Sequence, residues 1–152
     1  MQTPTVLDYP AVRLIGMRWQ PQEPGTIGEL WQRFLLREGE IQPLAPMAGS
    51  FGVCEPLTEG GWRYLAARPV TPETPVPAGM HALTLPAGRY AVLEHRGTVD
   101  SLPDSFRAAY GESLPAAGLK PAEGMAFEFY DERFLGPHHP DSLVQIYIPL
   151  AQ

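Results

Sequence analysis

A carboxylate and a phenol lie two residues apart in Ala126–Tyr130, a short apolar segment. Its residue types predict a β-strand, and the side chains of a strand alternate between its two faces. Phe127 and Phe129 therefore share one face, which suits a hydrophobic core. Glu128 and Tyr130 share the other face, so a titratable pair is expected to project from an aromatic-rich sheet.

Glu128 could serve two kinds of chemistry if its face is enclosed. Ionising a carboxyl group in an apolar cavity costs free energy, and a flat cationic ligand would offset that cost by ion pairing. A desolvated glutamate also has a raised pKa, which suits a general acid or base near neutral pH, and Tyr130 could hydrogen-bond a developing oxyanion. Two structural alternatives stay open: Glu128 lies exposed at a sheet edge, or it hydrogen-bonds Tyr130 or Tyr147.

Aromatic side chains that could stack on a flat ligand are spread along the chain. Cation–π contact with such a ring contributes about 0.5–2 kcal/mol. Trp31 stands at helical spacing with Phe34 and so also fits a core position. The residues predicted to line the ligand site with Glu128 and Tyr130 are Trp19, Trp31, Trp62, Tyr64, Tyr90 and Tyr147.

Histidine and cysteine chemistry is not indicated. His138 and His139 are flanked by prolines in a predicted loop, and no third ligand stands at the spacing that a metal site needs. Glu94 and His95 are adjacent on a predicted strand, so they face opposite ways and cannot act as a pair. Cys54 lies in an apolar strand, which favours a packing thiol over a nucleophile. We therefore expect no metal and no cofactor.

The first half of the chain, about residues 8–70, predicts the order β-α-β-β. Thr26 and Glu29 have capping-box spacing at the start of a helix whose apolar residues follow a 3.6-residue period. Gly39 is predicted to end this helix. The predicted strands of this half are 12–19, 50–55 and 62–70.

The second half, about residues 78–152, predicts the same order after a proline-rich connector. Ser101 and Asp104 repeat the capping-box spacing. Extended chain, broken at residues 86–88 into segments 80–85 and 89–96, precedes the helix of this half, and the two strands after the helix are 125–130 and 143–150. We therefore predict an α+β fold, a tandem β-α-β-β repeat that forms one domain over residues 1–152. The repeat predicts pseudo-two-fold symmetry and a central ligand cleft between the halves.

Composition narrows the classes of function. The chain has 152 residues, a net charge of −6 and no cluster of lysine or arginine, so direct binding to nucleic-acid phosphates is not expected. No apolar stretch reaches the roughly 18 residues of a membrane span. Residues 1–8 lack the basic start and apolar run of a signal peptide, and the single cysteine allows no intrachain disulfide. These features predict a cytoplasmic protein.

Five short motifs stand in order along the chain. The longest runs from Leu85 to Gly97 and reads LPAGRYAVLEHRG, and the others are IGELW at 27–31, FGV at 51–53, FEFY at 127–130 and IYIP at 146–149. Together they resemble the motifs of GyrI-like small-molecule-binding domains, and the resemblance extends from about Val12 to Leu150. These domains also serve as effector-binding domains of AraC-type and BmrR-type regulators and are related to the SOUL haem-binding fold.

This resemblance implies a tandem β-α-β-β fold and a ligand cavity with an acid on the last-but-one strand and a tyrosine two residues later, here Glu128 and Tyr130. It also implies the stand-alone form, because no helix-turn-helix accompanies the domain. Haem is not expected, since no histidine is indicated in the cleft. The leading hypothesis is a binding module for amphipathic, planar or cationic drugs and xenobiotics, acting in sequestration or sensing.

Two other functions stay open. Some stand-alone relatives are implicated in hydrolysing cyclopropane-containing DNA-alkylating compounds, for which Glu128 would activate water and Tyr130 would hydrogen-bond the oxyanion. The family name suggests a protein-interaction role for others, such as modulation of DNA gyrase. An exposed sheet edge would also permit a homodimer or a protein partner.

Overall fold

A computed structural model describes residues 2–152 and shows a mixed α+β chain. None of the helices in this range combines the length and apolar composition needed to cross a bilayer. The strands are β1 (Thr5–Tyr9), β2 (Val12–Trp19), β3 (Ser50–Pro56), β4 (Trp62–Pro69), β5 (His81–Leu85), β6 (Gly88–Arg96), β7 (Ala126–Tyr130) and β8 (Leu143–Pro149). The helices are α1 (Ile27–Arg37), α2 (Leu102–Ala108) and α3 (Leu114–Ala116), with a π-helical segment at Ala109–Ser113 and 3₁₀ turns at Glu38–Glu40 and Val99–Ser101.

The chain divides into two compact units. Ala11–Pro86 form the first unit, and Ala87–Gln152 form the second unit together with the segment that ends at Pro10. Within the first unit the strand order is β3-β4-β2-β5, and within the second it is β7-β8-β6-β1. Neighbouring strands within each unit are antiparallel. The assignment of the whole chain to one domain stays a prediction.

Helix α1 covers one face of the first unit's sheet. The hydroxyl oxygen of Thr26 accepts from the backbone N–H of Glu29 at 3.1 Å, which confirms the predicted N-cap. Leu30 and Phe34 then project from α1 into the core. The buried core residues of this unit are Ile15, Trp19, Leu30, Phe34, Ile41, Tyr64, Ala66, Val70 and Met80. We call the face of this sheet that packs on α1 the helix-packed face of the first unit.

The second unit has a helix-packed face of the same kind. Leu102, Ala109 and Leu114 come from the helical segments and contact apolar residues of β6 and β8. The sheet residues of this core are Ala91, Leu93, Val144, Ile146, Ile148 and, just beyond β8, Leu150. Alternate residues of β6 and β8 point to the opposite face, as strand geometry requires.

The predicted capping box at Ser101 is wrong. A 3₁₀ turn runs directly into α2, so the backbone of Ser101 is not extended (φ −94°, ψ 1°) and its side chain makes no capping hydrogen bond. The Ser101 hydroxyl donates instead to the carbonyl oxygen of Thr98 at 3.1 Å. Asp104 pairs with Arg107 on the next turn.

The edge strands depart from the sequence-based assignment. Strand β1 was not predicted, and it pairs with β6. Strand β5 was predicted within the second half, but it pairs with β2 in the first unit. Both pairings join strands that are far apart in sequence, so no local pattern indicates the partner of either edge strand.

Candidate functional site

Glu128 is a buried carboxylate on the helix-packed face of the second unit. Its partner across the β7–β8 pair is Ile146, and directly opposed residues of an antiparallel pair point to the same side. Ile146 belongs to the apolar core under the helices. Glu128 is only 6% exposed, so the sheet register places a titratable carboxyl group among apolar neighbours.

Tyr130 is the hydrogen-bond partner of this carboxylate. Its phenol donates to Oε1 of Glu128 at 2.6 Å. The ring packs against the same apolar core and meets Phe134 edge-on, with ring centroids 4.8 Å apart. This contact matches the alternative in which Glu128 hydrogen-bonds Tyr130, and the bond offsets part of the free energy that burying the carboxyl group costs.

Tyr90 and Tyr147 lie on the opposite face of the second unit's sheet. Tyr147 opposes Phe127 in the strand register, and their rings stack at 4.5 Å with an interplanar angle of 9°. Tyr90 meets the ring of Tyr147 edge-on at 6.3 Å. The structure therefore does not bring these two predicted site residues to the face of Glu128, because residues one position apart on a strand point to opposite sides.

Tyr9 joins that aromatic cluster, and the sequence analysis missed it. Its ring lies 5.1 Å from Tyr147, 5.6 Å from Phe127 and 5.8 Å from Tyr90, between centroids. Burial, and to a lesser extent the neighbouring phenols of Tyr147 and Tyr90, raises the pKa of Tyr9 to about 12. Burial also raises the pKa of Tyr90 and Tyr147. The β-branched and apolar residues of TVLDY were the available signal for this strand.

The four predicted aromatics of the first unit come together on its helix-packed face. The indole N–H of Trp31 on α1 donates to the phenol oxygen of Tyr64 at 3.1 Å. Trp19 opposes Tyr64 in the β2–β4 register, and its ring lies 5.8 Å from that of Trp62. Tyr64 is only 2% exposed, whereas Trp62 is 40% exposed. The buried indole N–H of Trp19 has no acceptor within residues 2–152.

The histidines have structural partners. His95 is buried, its Nε2 lies 2.8 Å from the carbonyl oxygen of Thr98, and its Nδ1 lies 2.6 Å from the hydroxyl oxygen of Ser105. Since a carbonyl only accepts, Nε2 carries the proton and Nδ1 accepts from Ser105. In the loop, Nδ1 of His139 accepts from the backbone N–H of Asp141. No group of three His, Cys, Asp or Glu side chains in the described range could hold a metal ion.

A cavity of about 300 Å³ lies in the second unit beside the π-helical segment. Leu93 and Ile146 of the sheet line it together with Ala108 and Ala109 of the helical segments. Polar side chains also line it: Gln2, Glu94, Ser105, Glu112 and Ser113. Glu128 does not line this cavity, although it opposes Ile146 in the strand register.

The sequence of the chain is similar to one protein family and to a curated regulator. The family model of Cass2, described as an integron-associated effector binding protein, matches residues 7–150. The transcriptional regulator BrlR of Pseudomonas aeruginosa is 41% identical over 146 residues, which are 95% of this chain and 54% of BrlR. The chain therefore spans about half the length of this curated relative.

Solved structures share the fold at low sequence identity. SAV2435 bound to tetraphenylphosphonium is 19% identical with a TM-score of 0.74, over 99% of this chain and 94% of SAV2435. The integron cassette protein VCH_CASS2 of Vibrio cholerae is 17% identical with a TM-score of 0.66, over 99% of this chain and 97% of that one. These findings confirm the resemblance to GyrI-like effector-binding domains. The chain belongs to the Cass2 family of integron-associated effector binding proteins.

Proposed function

We propose that the protein binds amphipathic organic cations and that Glu128 recognises their charge. The observation that carries this proposal is the burial of the Glu128 carboxylate beside Ile146, with the Tyr130 phenol on Oε1. A buried carboxylate is costly to keep ionised, and a bound cation would repay that cost. The ligand-bound relative supports the ligand class, because SAV2435 was solved with tetraphenylphosphonium, a lipophilic cation.

The aromatic residues of the first unit supply a second set of proposed contacts. Trp31 and Tyr64 are tied by a hydrogen bond, and Trp62 presents an exposed ring beside Trp19. An aromatic ring held in one orientation stacks on a flat ligand at low entropic cost, and it attracts a cation through its face. Their role as ligand contacts rests on their residue types and on the family resemblance.

We also propose that the two units arose by duplication of a β-α-β-β element. The strand order is the same in both units: the last strand of each element, β4 or β8, lies between the other two. The β2–β4 pair can be aligned with the β6–β8 pair so that Pro69 of β4 corresponds to Pro149 of β8. Ala66 then corresponds to Ile146. Gly52, the partner of Ala66, then corresponds to Glu128. The second unit would thus have a carboxyl group, Glu128, at a position where the first unit has a glycine and no side chain.

Hydrolysis by Glu128 and Tyr130 is less well supported than ligand binding. The hydrolytic hypothesis needs Tyr130 to stabilise an oxyanion, but its phenol proton is directed at Glu128. The chemistry of the pair therefore favours binding over turnover. We propose that binding acts in sequestration or sensing in the cytoplasm. Regulation is supported by the identity to BrlR, which is a transcriptional regulator. Among residues 2–152, no contact points specifically to gyrase.

Calorimetric titration with tetraphenylphosphonium tests the proposal. We expect Glu128→Gln to weaken binding at least about tenfold, because a charge-assisted contact is replaced by a neutral one. Glu123→Gln is the matched control, since it removes one negative charge from an exposed residue that does not line the cavity. Neutral triphenylphosphine oxide should bind both variants alike. Equal affinity of Glu128→Gln and Glu123→Gln for the cation would contradict the proposal.

A further inference from the structure

Four polar side chains form a row across the first unit's sheet, one from each of its strands. We call the set of His81, Arg18, Arg63 and Glu55 the arginine row. Arg18 lies between Met17 and Trp19 on β2, so it points away from the helix-packed face. Glu55 opposes Arg63 directly in the β3–β4 register.

Two guanidinium groups of the arginine row share one carboxylate. Arg63 binds Oε2 of Glu55 through Nε at 3.0 Å and through Nη2 at 2.5 Å. Nη2 of Arg18 lies 3.9 Å from Oε1 of the same carboxylate. No other carboxylate within residues 2–152 forms a salt bridge with either arginine. The arginine row therefore keeps one uncompensated positive charge in a protein whose net charge is −6.

His81 adds a third donor to the arginine row. Its Nδ1 lies 3.1 Å from Nη1 of Arg18, and a guanidinium only donates, so Nδ1 is the acceptor. The proton of the neutral ring is then on Nε2. Burial and the two arginines lower the pKa of His81, which agrees with the neutral tautomer. His81 is an exposed residue.

Two polar atoms of the arginine row lack hydrogen-bond partners. Nε of Arg18 and Oε1 of Glu55 are buried and have no hydrogen-bond partner in the part of the chain that the structure describes. Burial first, and then the nearby Arg63, lower the pKa of Arg18, and the carboxylate of Glu55 offsets only part of this lowering. The side chains of Arg18 and Arg63 are still 23% and 25% exposed, so a small anion can reach their Nη groups.

We propose that the arginine row binds a small multivalent oxyanion, a phosphate or a polycarboxylate, at a site separate from Glu128. Planar guanidinium groups match such oxygens, and the anion would neutralise the excess charge. Glu55 competes with the ligand for the same donors. This role does not depend on the proposed binding of organic cations, because no residue of the row belongs to that site.

Calorimetry at constant ionic strength tests the proposal, with inorganic pyrophosphate and citrate as the two probes. We expect wild-type protein to bind at least one of them, and the preferred probe separates phosphate from carboxylate ligands. Arg18→Gln and Arg63→Gln should each weaken binding about tenfold. Arg107→Gln is the charge-matched control and should bind as wild type, since Arg107 pairs with Asp104 on an exposed helix.

Glu55→Gln supplies a test of opposite sign. Removing the competing carboxylate raises the charge of the row, so we expect binding about threefold tighter or more. A merely structural ion-pair cluster would instead show looser or unchanged binding in this variant. The proposal is overturned if neither probe binds wild-type protein, if Arg18→Gln binds like Arg107→Gln, or if Glu55→Gln does not tighten binding.

Discussion

The phenol of Tyr130 donates a hydrogen bond of 2.6 Å to Oε1 of Glu128, two residues earlier on β7. Residues i and i+2 of a strand point to the same side, so two long side chains on one face can meet. The bond replaces one of the water contacts that the carboxylate loses on burial. The two side chains are therefore expected to be energetically coupled.

A double-mutant cycle measures this coupling. Tyr130→Phe removes the donor, and Glu128→Met removes the acceptor at similar side-chain length. The coupling free energy of unfolding should be about 1.5–3 kcal/mol, the range for hydrogen bonds to charged groups. Urea unfolding of wild type, both single variants and the double variant gives the value. A coupling below about 0.5 kcal/mol would show that the contact adds nothing to the fold.

Substitution of Gly16 by alanine is expected to destabilise the fold strongly. A Cβ atom there would lie 1.8 Å from the carbonyl oxygen of Ala66 on the neighbouring strand, and backbone atoms cannot move aside. Gly16→Ala should therefore cost at least about 3 kcal/mol of unfolding free energy or prevent folding. Gly28→Ala is the control, because the nearest atom to its added Cβ is Thr26 Oγ1 at 3.7 Å.

The control substitution, Gly28→Ala, should increase the free energy of unfolding. Gly28 lies in the first turn of α1, where alanine is the better helix former, so we expect a gain of about 0.4–1 kcal/mol. Thermal unfolding followed by circular dichroism compares the two variants. Equal melting temperatures for Gly16→Ala and wild type would show that the two strands can separate at no cost.

The raised pKa of Tyr9 predicts that the folded protein loses stability at alkaline pH. Its folded-state pKa is about 12, above the ordinary value of 10, so the unfolded chain releases the phenol proton first as pH rises. Stability from this group is complete below pH 10 and falls between pH 10 and pH 12. Tyr9→Phe should lessen the fall over that window, whatever its effect at pH 8.

Two measurements check this expectation. Urea unfolding at pH 8, 10.5 and 11.5 gives the slope of stability with pH for wild type and Tyr9→Phe. The absorbance of tyrosinate near 295 nm reports the titration directly, and the variant should lose one phenol that titrates near pH 12. Identical slopes for the two proteins would contradict the raised pKa.

Local patterns predicted the elements that carry the candidate site. The alternation in Ala126–Tyr130 predicted that Glu128 and Tyr130 share a face, and their hydrogen bond and the packing of Tyr130 against the core that contains Ile146 bear this out. The Thr26 spacing predicted the start of α1 correctly. Both signals lie within a few residues of the feature they predict. Ser101 has the same spacing as Thr26 but does not cap α2, because the preceding 3₁₀ turn changes its backbone angles.

The partners of the strands could not be read from the sequence. The apolar TVLDY segment contained no mark of its pairing with β6, and β5 was assigned to the wrong half. Tyr90 and Tyr147 were grouped with Glu128 by residue type alone. Only the register showed that Tyr147 stacks on Phe127 on the opposite face.

The sequence by itself determined the α+β class, the family motifs and the pairing of an acid with a phenol on one strand face, because each depends on residues close together in the chain. The tertiary structure alone decided that Glu128 is buried beside Ile146 and that Arg18 and Arg63 share Glu55. These contacts depend on the register between strands far apart in sequence. That register is set by the packing of whole faces, which no local pattern encodes.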